Sequence, residues 1–272
     1  MRVSILVPTY KDEVALDLIL KALVTQSYKN FEVIIAEDDD SLDITKIKEK
    51  FSTLDILYVS HEDKGNRKAI IMNRALAIAN GEYIIFIDGD TIPFSTFIES
   101  HVALSEPKTV LCGRRVNLGD KVSSDLRKAK INALDIENSY LKKYQYLNND
   151  TIRNYEHGIR FNPNSFLYKL VQKLNSNIHI LASNYSCFKK DIYELNGFNE
   201  ELPYAPHRDD TDMEWRFIAN GCILKSCKYC ANLLHLNHAR TDRREEEREN
   251  LEIIEKNREN NQYIAQYGIK KL

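Results

Sequence analysis

The chain has no apolar run longer than a strand and no N-terminal leader pattern, so nothing in its sequence reads as a membrane span or a secretory signal. Cysteine is sparse, five in 272 residues and odd in number. In a cytosol-like chain these read as reduced thiols, not as a disulfide framework. Neither sign of charge dominates: 38 Lys and Arg against 40 Asp and Glu give a formal charge of −2. That balance offers no footprint for a nucleic-acid partner. Internal repeats and low-complexity linkers are missing too. The sequence is expected to be that of a soluble, cytoplasmic protein, and it is long enough for one substantial core or two fused lobes.

Against this background the run Tyr83-Ile84-Ile85-Phe86-Ile87-Asp88-Gly89-Asp90-Thr91 stands out. An uncharged apolar stretch between Gly81 and Gly89 predicts a strand covered on both faces, and in open α/β sheets ligands bind beyond the carboxyl ends of such strands. Asp88 and Asp90 project together because strand residues i and i+2 share a face. Two hard oxygen donors suit Mg²⁺ or Mn²⁺ held on a diphosphate. Asp-Gly-Asp also forms an Asx turn readily, which needs no ligand.

The neighbouring pattern is βα. Arg2 to Tyr10 reads as a strand stopped by Pro8, followed by helical spacing at Leu16, Leu20 and Leu23. Phe31 to Ala36 repeats the strand signature and ends in Glu37-Asp38-Asp39-Asp40 before a helical stretch from Asp43 to Phe51. Ile56 to Val59 is a third short strand, and Arg67 to Asn80 a helix closed by Gly81. Such alternation predicts a mostly parallel sheet with right-handed crossovers and acids gathered at two strand ends.

Over residues 2 to 238 the chain resembles the inverting glycosyltransferases of family 2, which have the GT-A fold, a Rossmann-like α/β sheet flanked by helices. The elements that carry the resemblance are Pro8-Thr9-Tyr10, Glu37-Asp38, Gly65-Asn66-Arg67 leading into Ala69 to Ala79, Asp88-Gly89-Asp90, Gly197-Phe198-Asn199-Glu200-Glu201, and Asp209-Asp210-Thr211-Asp212. The resemblance implies that Pro8 and Tyr10 flank a nucleotide base and that Asp38 accepts a hydrogen bond from it, as suits the N–H of uracil. Arg67 would approach the nucleotide or diphosphate, Asp88 the ribose and metal region, and Asp90 the metal. The family usually has Asp-Asp-Gly-Ser where Glu37-Asp38-Asp39-Asp40 stand, so Asp39 is an alternative to Asp38.

The second acidic cluster opens a stretch with helical spacing, Met213 to Ala219. Acids in a first helical turn are favoured by the macrodipole alone. The resemblance adds that Asp210 is the base removing the acceptor hydroxyl proton while Asp209 grips the acceptor. Asn184, a side chain with both donor and acceptor, and Trp215, whose face could stack on a pyranose, are further acceptor-side candidates; Asn184 could equally cap a turn and Trp215 pack in the core. Cys227-Lys228-Tyr229-Cys230 with His235 and His238 offers zinc-compatible ligands, although the gap to His235 is far shorter than in a zinc finger. By resemblance, one of His235 and His238 instead reaches the cation beside Asp90, with His235 better placed.

The expected organisation is one GT-A domain over 1–240, with a nucleotide half (1–115), an acceptor half (116–240) and an insertion near 123–174 spaced helically at Leu126, Ile131, Leu134, Leu141 and Tyr144. A charged tail, 241–272, reads as a solvated amphipathic helix or a peripheral contact at the inner face of the plasma membrane. The implied activity is metal-dependent transfer from a UDP-sugar, a hexose or N-acetylhexosamine of galactose type, to a saccharide or lipid-linked saccharide in bacterial surface polysaccharide synthesis. Two other readings stay open. A sugar nucleotidyltransferase normally begins with a glycine-rich basic loop, and Pro8-Thr9-Tyr10-Lys11-Asp12 has no glycine. A non-catalytic sugar-binding protein of the same fold would not need Asp88, Asp90 and Asp210 together.

Overall fold

The computed structural model describes residues 1–65, 67–143, 146, 147, 150, 153–173, 178–202, 208–238 and 244–271. The run Pro203 to His207, together with Asn66 and Tyr144, lies outside the described residues. Four strands predicted from the sequence form where expected: β1 (Val3–Thr9), β2 (Phe31–Glu37), β3 (Ile56–Ser60) and β4 (Tyr83–Ile87). After them come β5 (Thr91–Pro93), β6 (Thr109–Cys112), β7 (Val116–Asn117), β8 (Asn184–Phe188), β9 (Ile223–Ser226) and β10 (Leu233–His235).

Seven strands make one sheet in the order β3-β2-β1-β4-β8-β6-β9. β1 pairs in parallel with both β2 and β4, while β8 runs antiparallel between β4 and β6. The chain therefore builds outward from β1 on one side and then returns to its other side. That reversal opens a crevice at the carboxyl ends of β1 and β4.

Alternation along β1 sends its residues into two cores. Val3, Ile5 and Val7 meet Leu16, Leu20 and Leu23 of the helix Glu13–Val24. On the other face Leu6, Ile34 and Phe86 meet Ala69, Met72 and Leu76 of the helix Lys68–Ile78. Helices thus cover both faces, which is why the strands read as largely apolar runs, broken within β1 and β2 only by the buried Ser4 and Glu32. This is the GT-A architecture expected from the sequence.

A small sheet, β5-β10-β7, lies beside the crevice. Its register sets His235 opposite Thr91, and Leu236 N–H donates to Asp90 O at 2.9 Å, so the second half of the chain is stitched directly to the Asp88-Gly89-Asp90 turn. Gly89 is required there by close approach: a Cβ would stand 2.2 Å from the Pro8 carbonyl oxygen.

The tail does not stand free in solvent. The helix Arg244–Glu259 buries Asn250 and Ile254, and the segment after it docks on the turn at Asn196-Gly197. Arg216, fully buried, explains this docking. Its guanidinium pairs with Asp212 at 3.0 Å and donates to the backbone oxygens of Leu195, Gly197 and Tyr263, and a buried guanidinium is tolerable only with its donors satisfied. Among the described residues no helix is long and apolar enough to cross a membrane.

Candidate active site

The crevice is a cleft of about 990 Å³ into which both acidic clusters open. Asp88, at the end of β4, accepts from the Lys68 ammonium at 2.9 Å, with the Arg115 guanidinium 3.8 Å from its other oxygen. Burial pushes the Asp88 carboxyl up, but the charge and hydrogen bond of Lys68 outweigh it and the net shift is downward. Lys68 occupies the first turn of its helix, where the macrodipole disfavours a cation. Two carboxylates compensate, because the same ammonium lies 3.3 Å from Asp209 on the opposite wall.

Asp209 and Asp210 begin the helix Asp209–Ala219. Burial is the main cause that lifts Asp209, to about 6, with Lys68 opposing and the charge of Asp210 adding to the rise. Asp210 is raised too, first by burial, while the Thr211 N–H it accepts at 2.8 Å and Lys68 hold it down. Asp209 is committed on both oxygens, to Lys68 and to the Asp210 N–H. Asp210 is the half-exposed member of the pair.

Asp90 faces the two histidines. His235 Nε2 lies 3.2 Å and His238 Nε2 3.4 Å from Asp90 Oδ2, while Asp90 Oδ1 is buried without a partner. The three ligand atoms lie within 4.8 Å of one another. A carboxylate and two imidazoles converging this way, with one oxygen unspent, fit a divalent transition-metal cation such as Mn²⁺ better than the all-oxygen preference of Mg²⁺. Cys227 and Cys230 are not part of this cluster; both are buried, and burial pushes the Cys230 thiol up to about 11.

At the far end of the cleft Pro8, Tyr10, Asp38, Lys64 and Arg67 form the wall. Asp38 accepts from the Arg67 backbone N–H at 2.9 Å and is paired with the imidazole of His61. Asp39 is buried outside the lining, whereas Asp38 lines the cleft. The Arg67 guanidinium donates to the Glu62 carbonyl, and its Nε is buried without a partner.

Two acceptor-side candidates fall outside the cleft. Asn184 is fully buried in β8, its amide spent on the Arg114 and Ala231 carbonyls and on His101, because a central strand faces core on both sides. Trp215 is turned away: its indole donates to Asp212, and Arg258 of the C-terminal helix covers its ring. Sequence reasoning missed Lys68, Arg115, Arg127 and His61. Arg127 reaches the cleft from the insertion by a two-pronged grip on Asp12, at 2.7 and 2.8 Å. A cation at a helix start was the available signal for Lys68; the others depend on tertiary contacts.

The family model Glycosyl transferase family 2 matches residues 4–196. The chain belongs to that family. Among its relatives, the amylovoran biosynthesis glycosyltransferase AmsB of Erwinia amylovora is 35% identical over 108 residues, 38% of this chain and 35% of that protein. The Escherichia coli UDP-Glc:alpha-D-GlcNAc-diphosphoundecaprenol beta-1,3-glucosyltransferase WfgD is 34% identical over 104 residues, 38% of this chain and 40% of that protein. The family 2 chain thus matches less than half the length of either relative. S. aureus TarS in complex with UDP superposes with a TM-score of 0.59 at 18% identity, covering 93% of this chain and 64% of that one. This likeness shows a shared fold.

Proposed function

We propose that the protein is a metal-dependent, inverting glycosyltransferase that moves a hexose or N-acetylhexosamine of galactose type from a UDP-sugar to a saccharide acceptor in bacterial surface polysaccharide synthesis. The observation that carries this reading is the joining of the two acid clusters across one cleft, Asp88 and Asp90 on one wall and Asp209 and Asp210 on the other, with Lys68 between them. UDP in the TarS complex and the diphosphoundecaprenol acceptor in the name of WfgD support a UDP donor and a lipid-linked acceptor.

In this reading Pro8 and Tyr10 flank the uracil and Asp38, oriented by His61, accepts its N–H. Asp90, His235 and His238, with Asp88 alongside, would hold a divalent cation, which when bound neutralises charge on the leaving diphosphate. Lys68, Arg67, Arg115 and Arg127 supply further positive charge to that region. Asp210 takes the proton of the acceptor hydroxyl as its oxygen attacks the anomeric carbon. The bond from that carbon to the diphosphate breaks in the same displacement, so the configuration inverts. A positioned base of this kind contributes about 10² to 10⁴ in rate. Asp209, spent on Lys68 and the Asp210 N–H, orients the base and touches the acceptor through whatever lone pairs remain.

A donor screen tests the proposal. UDP- and GDP-sugars are offered with Mn²⁺ and saccharide or lipid-linked acceptors, and released nucleoside diphosphate is measured. Release of UDP from a UDP-hexose or UDP-N-acetylhexosamine, dependent on acceptor, is expected. Release of pyrophosphate from UTP and a sugar 1-phosphate would instead make the protein a nucleotidyltransferase.

A further inference from the structure

One short helix presents an apolar face that nothing described covers. In Phe166–Lys173 only Tyr168 is buried; its hydroxyl donates to Ser226 O at 3.2 Å, and Gln172 donates to Lys228 O at 2.7 Å. These two side chains anchor the helix to the end of β9 and the turn after it. On the other side Phe166 is 77% exposed, Leu167 57% and Leu170 49%. At 100° per residue Phe166, Leu170, Leu167 and the half-buried Val171 form one contiguous stripe, and the exposed Lys169 and Lys173 flank it next to Phe166.

The charge along the segments that carry and anchor this stripe is of one sign. Residues 157–190 contain no Asp or Glu, in a chain with 40 of them, and include Lys169, Lys173 and Lys189, together with Arg160 and Lys190, which pair with Glu137 and Glu194 outside the run. Residues 215–241, which supply the anchoring turn with Lys225 and Lys228, contain none either. The acid on the adjoining loop, Glu106, is paired with Lys225 at 2.6 Å. An apolar stripe bordered by lysines, whose stems can lie along it while the ammonium groups reach outward, complements a surface that is greasy inside and anionic at its rim.

We propose that the helix Phe166–Lys173 docks the protein on an anionic lipid bilayer, with Phe166, Leu167 and Leu170 entering the interface and Lys169 and Lys173 meeting phosphate headgroups. Further along the chain Leu181 and Ala182 line the cleft, so the docked face is continuous in sequence with a cleft wall. Docking goes beyond the transfer reaction proposed above and needs no donor.

Co-sedimentation with vesicles tests it, comparing phosphatidylcholine alone with a phosphatidylcholine and phosphatidylglycerol mixture. The parent should sediment with the anionic vesicles and be released by salt. Replacing both apolar anchors, Phe166→Ser with Leu170→Ser, should lower partitioning by at least about tenfold, since each side chain loses its buried area. Lys169→Glu with Lys173→Glu should remove the preference for phosphatidylglycerol. Because all four side chains are exposed, circular dichroism and UDP titration should match the parent, which separates loss of docking from loss of fold or donor site. A parent that stays in the supernatant with both vesicles, or variants that sediment like the parent, would overturn the proposal. So would a dimer split by Phe166→Ser without vesicle binding, which would assign the stripe to a second copy of the chain.

Discussion

The ammonium of Lys68 stands 3.3 Å from the carboxylate of Asp209 while it donates at 2.9 Å to Asp88, so one cation ties the end of β4 to the start of the helix that carries Asp210. Asp88 and Asp209 are therefore not independent. Each titrates in a field that Lys68 sets.

Lys68→Met should therefore change a pH profile and not only a rate. Lys68 opposes the upward shift of both Asp209 and Asp210. Without it both carboxyls hold their protons to higher pH. A general base works only when ionised, so activity is present above its pKa and lost below. The acid limb of kcat/KM should move to higher pH, and activity near neutrality should fall by roughly 10- to 100-fold. A limb that stays in place in a folded Lys68→Met protein would show that the ammonium does not control the base.

Asp210→Asn should bind UDP and metal like the parent and lose transfer by at least about 10²-fold, the usual contribution of a positioned base. Asp209→Asn keeps the shape but removes the charge facing Lys68, so its loss should be smaller and partly in acceptor KM. Steady-state kinetics separates the two. A dead Asp209→Asn beside a near-normal Asp210→Asn would exchange the roles.

For the metal, the buried His235 is fixed by its strand pairing, whereas the side chain of His238 is 53% exposed. Truncating the fixed ligand should matter more. His235→Ala should weaken Mn²⁺-dependent UDP binding by about 10- to 100-fold and His238→Ala by less, with similar melting temperatures. Zinc retained by the parent and lost on changing Cys227 or Cys230 would point to a different metal centre.

The sequence announced the strands because those buried on both faces write mostly apolar runs, unbroken in Tyr83 to Ile87. Asp88, Asp90, Asp209 and Asp210 were legible because strand ends and helix starts are punctuated by Gly89 and by a run of acids. Arg115 and Arg127 were not, since no local pattern says that a cation just before β7 or in the insertion will fold back over a cleft. Asn184 misled for the opposite reason. A polar side chain in a short β run looks available until the sheet order places it at the centre. The tail misled as well: the buried Arg216 needs carbonyl partners, and beside Leu195 and Gly197 one of them comes from Tyr263, far along the chain.

Acid stability has its own local source. The buried Glu32 carboxylate is drawn down to about 2; burial opposes this, but hydrogen bonds from Ser4, Asn80 and Arg2 prevail. A depressed carboxyl stabilises the fold above its unfolded pKa of about 4.3, and that stabilisation fades as pH falls toward 2. Glu32→Gln should lower stability at neutral pH by about 2 kcal/mol and by progressively less in acid. Urea unfolding at pH 7 and pH 3 measures the difference; equal losses at both would remove Glu32 as the source.

Calorimetric titration of UDP, with and without Mn²⁺, tests the central claim most directly. The parent should bind UDP in the presence of Mn²⁺ and at least about tenfold more weakly without it, and Asp90→Ala should bind weakly in both. UDP binding of equal affinity in all four titrations, or no binding in any, would contradict a metal-assisted nucleotide-sugar site at Asp88-Gly89-Asp90.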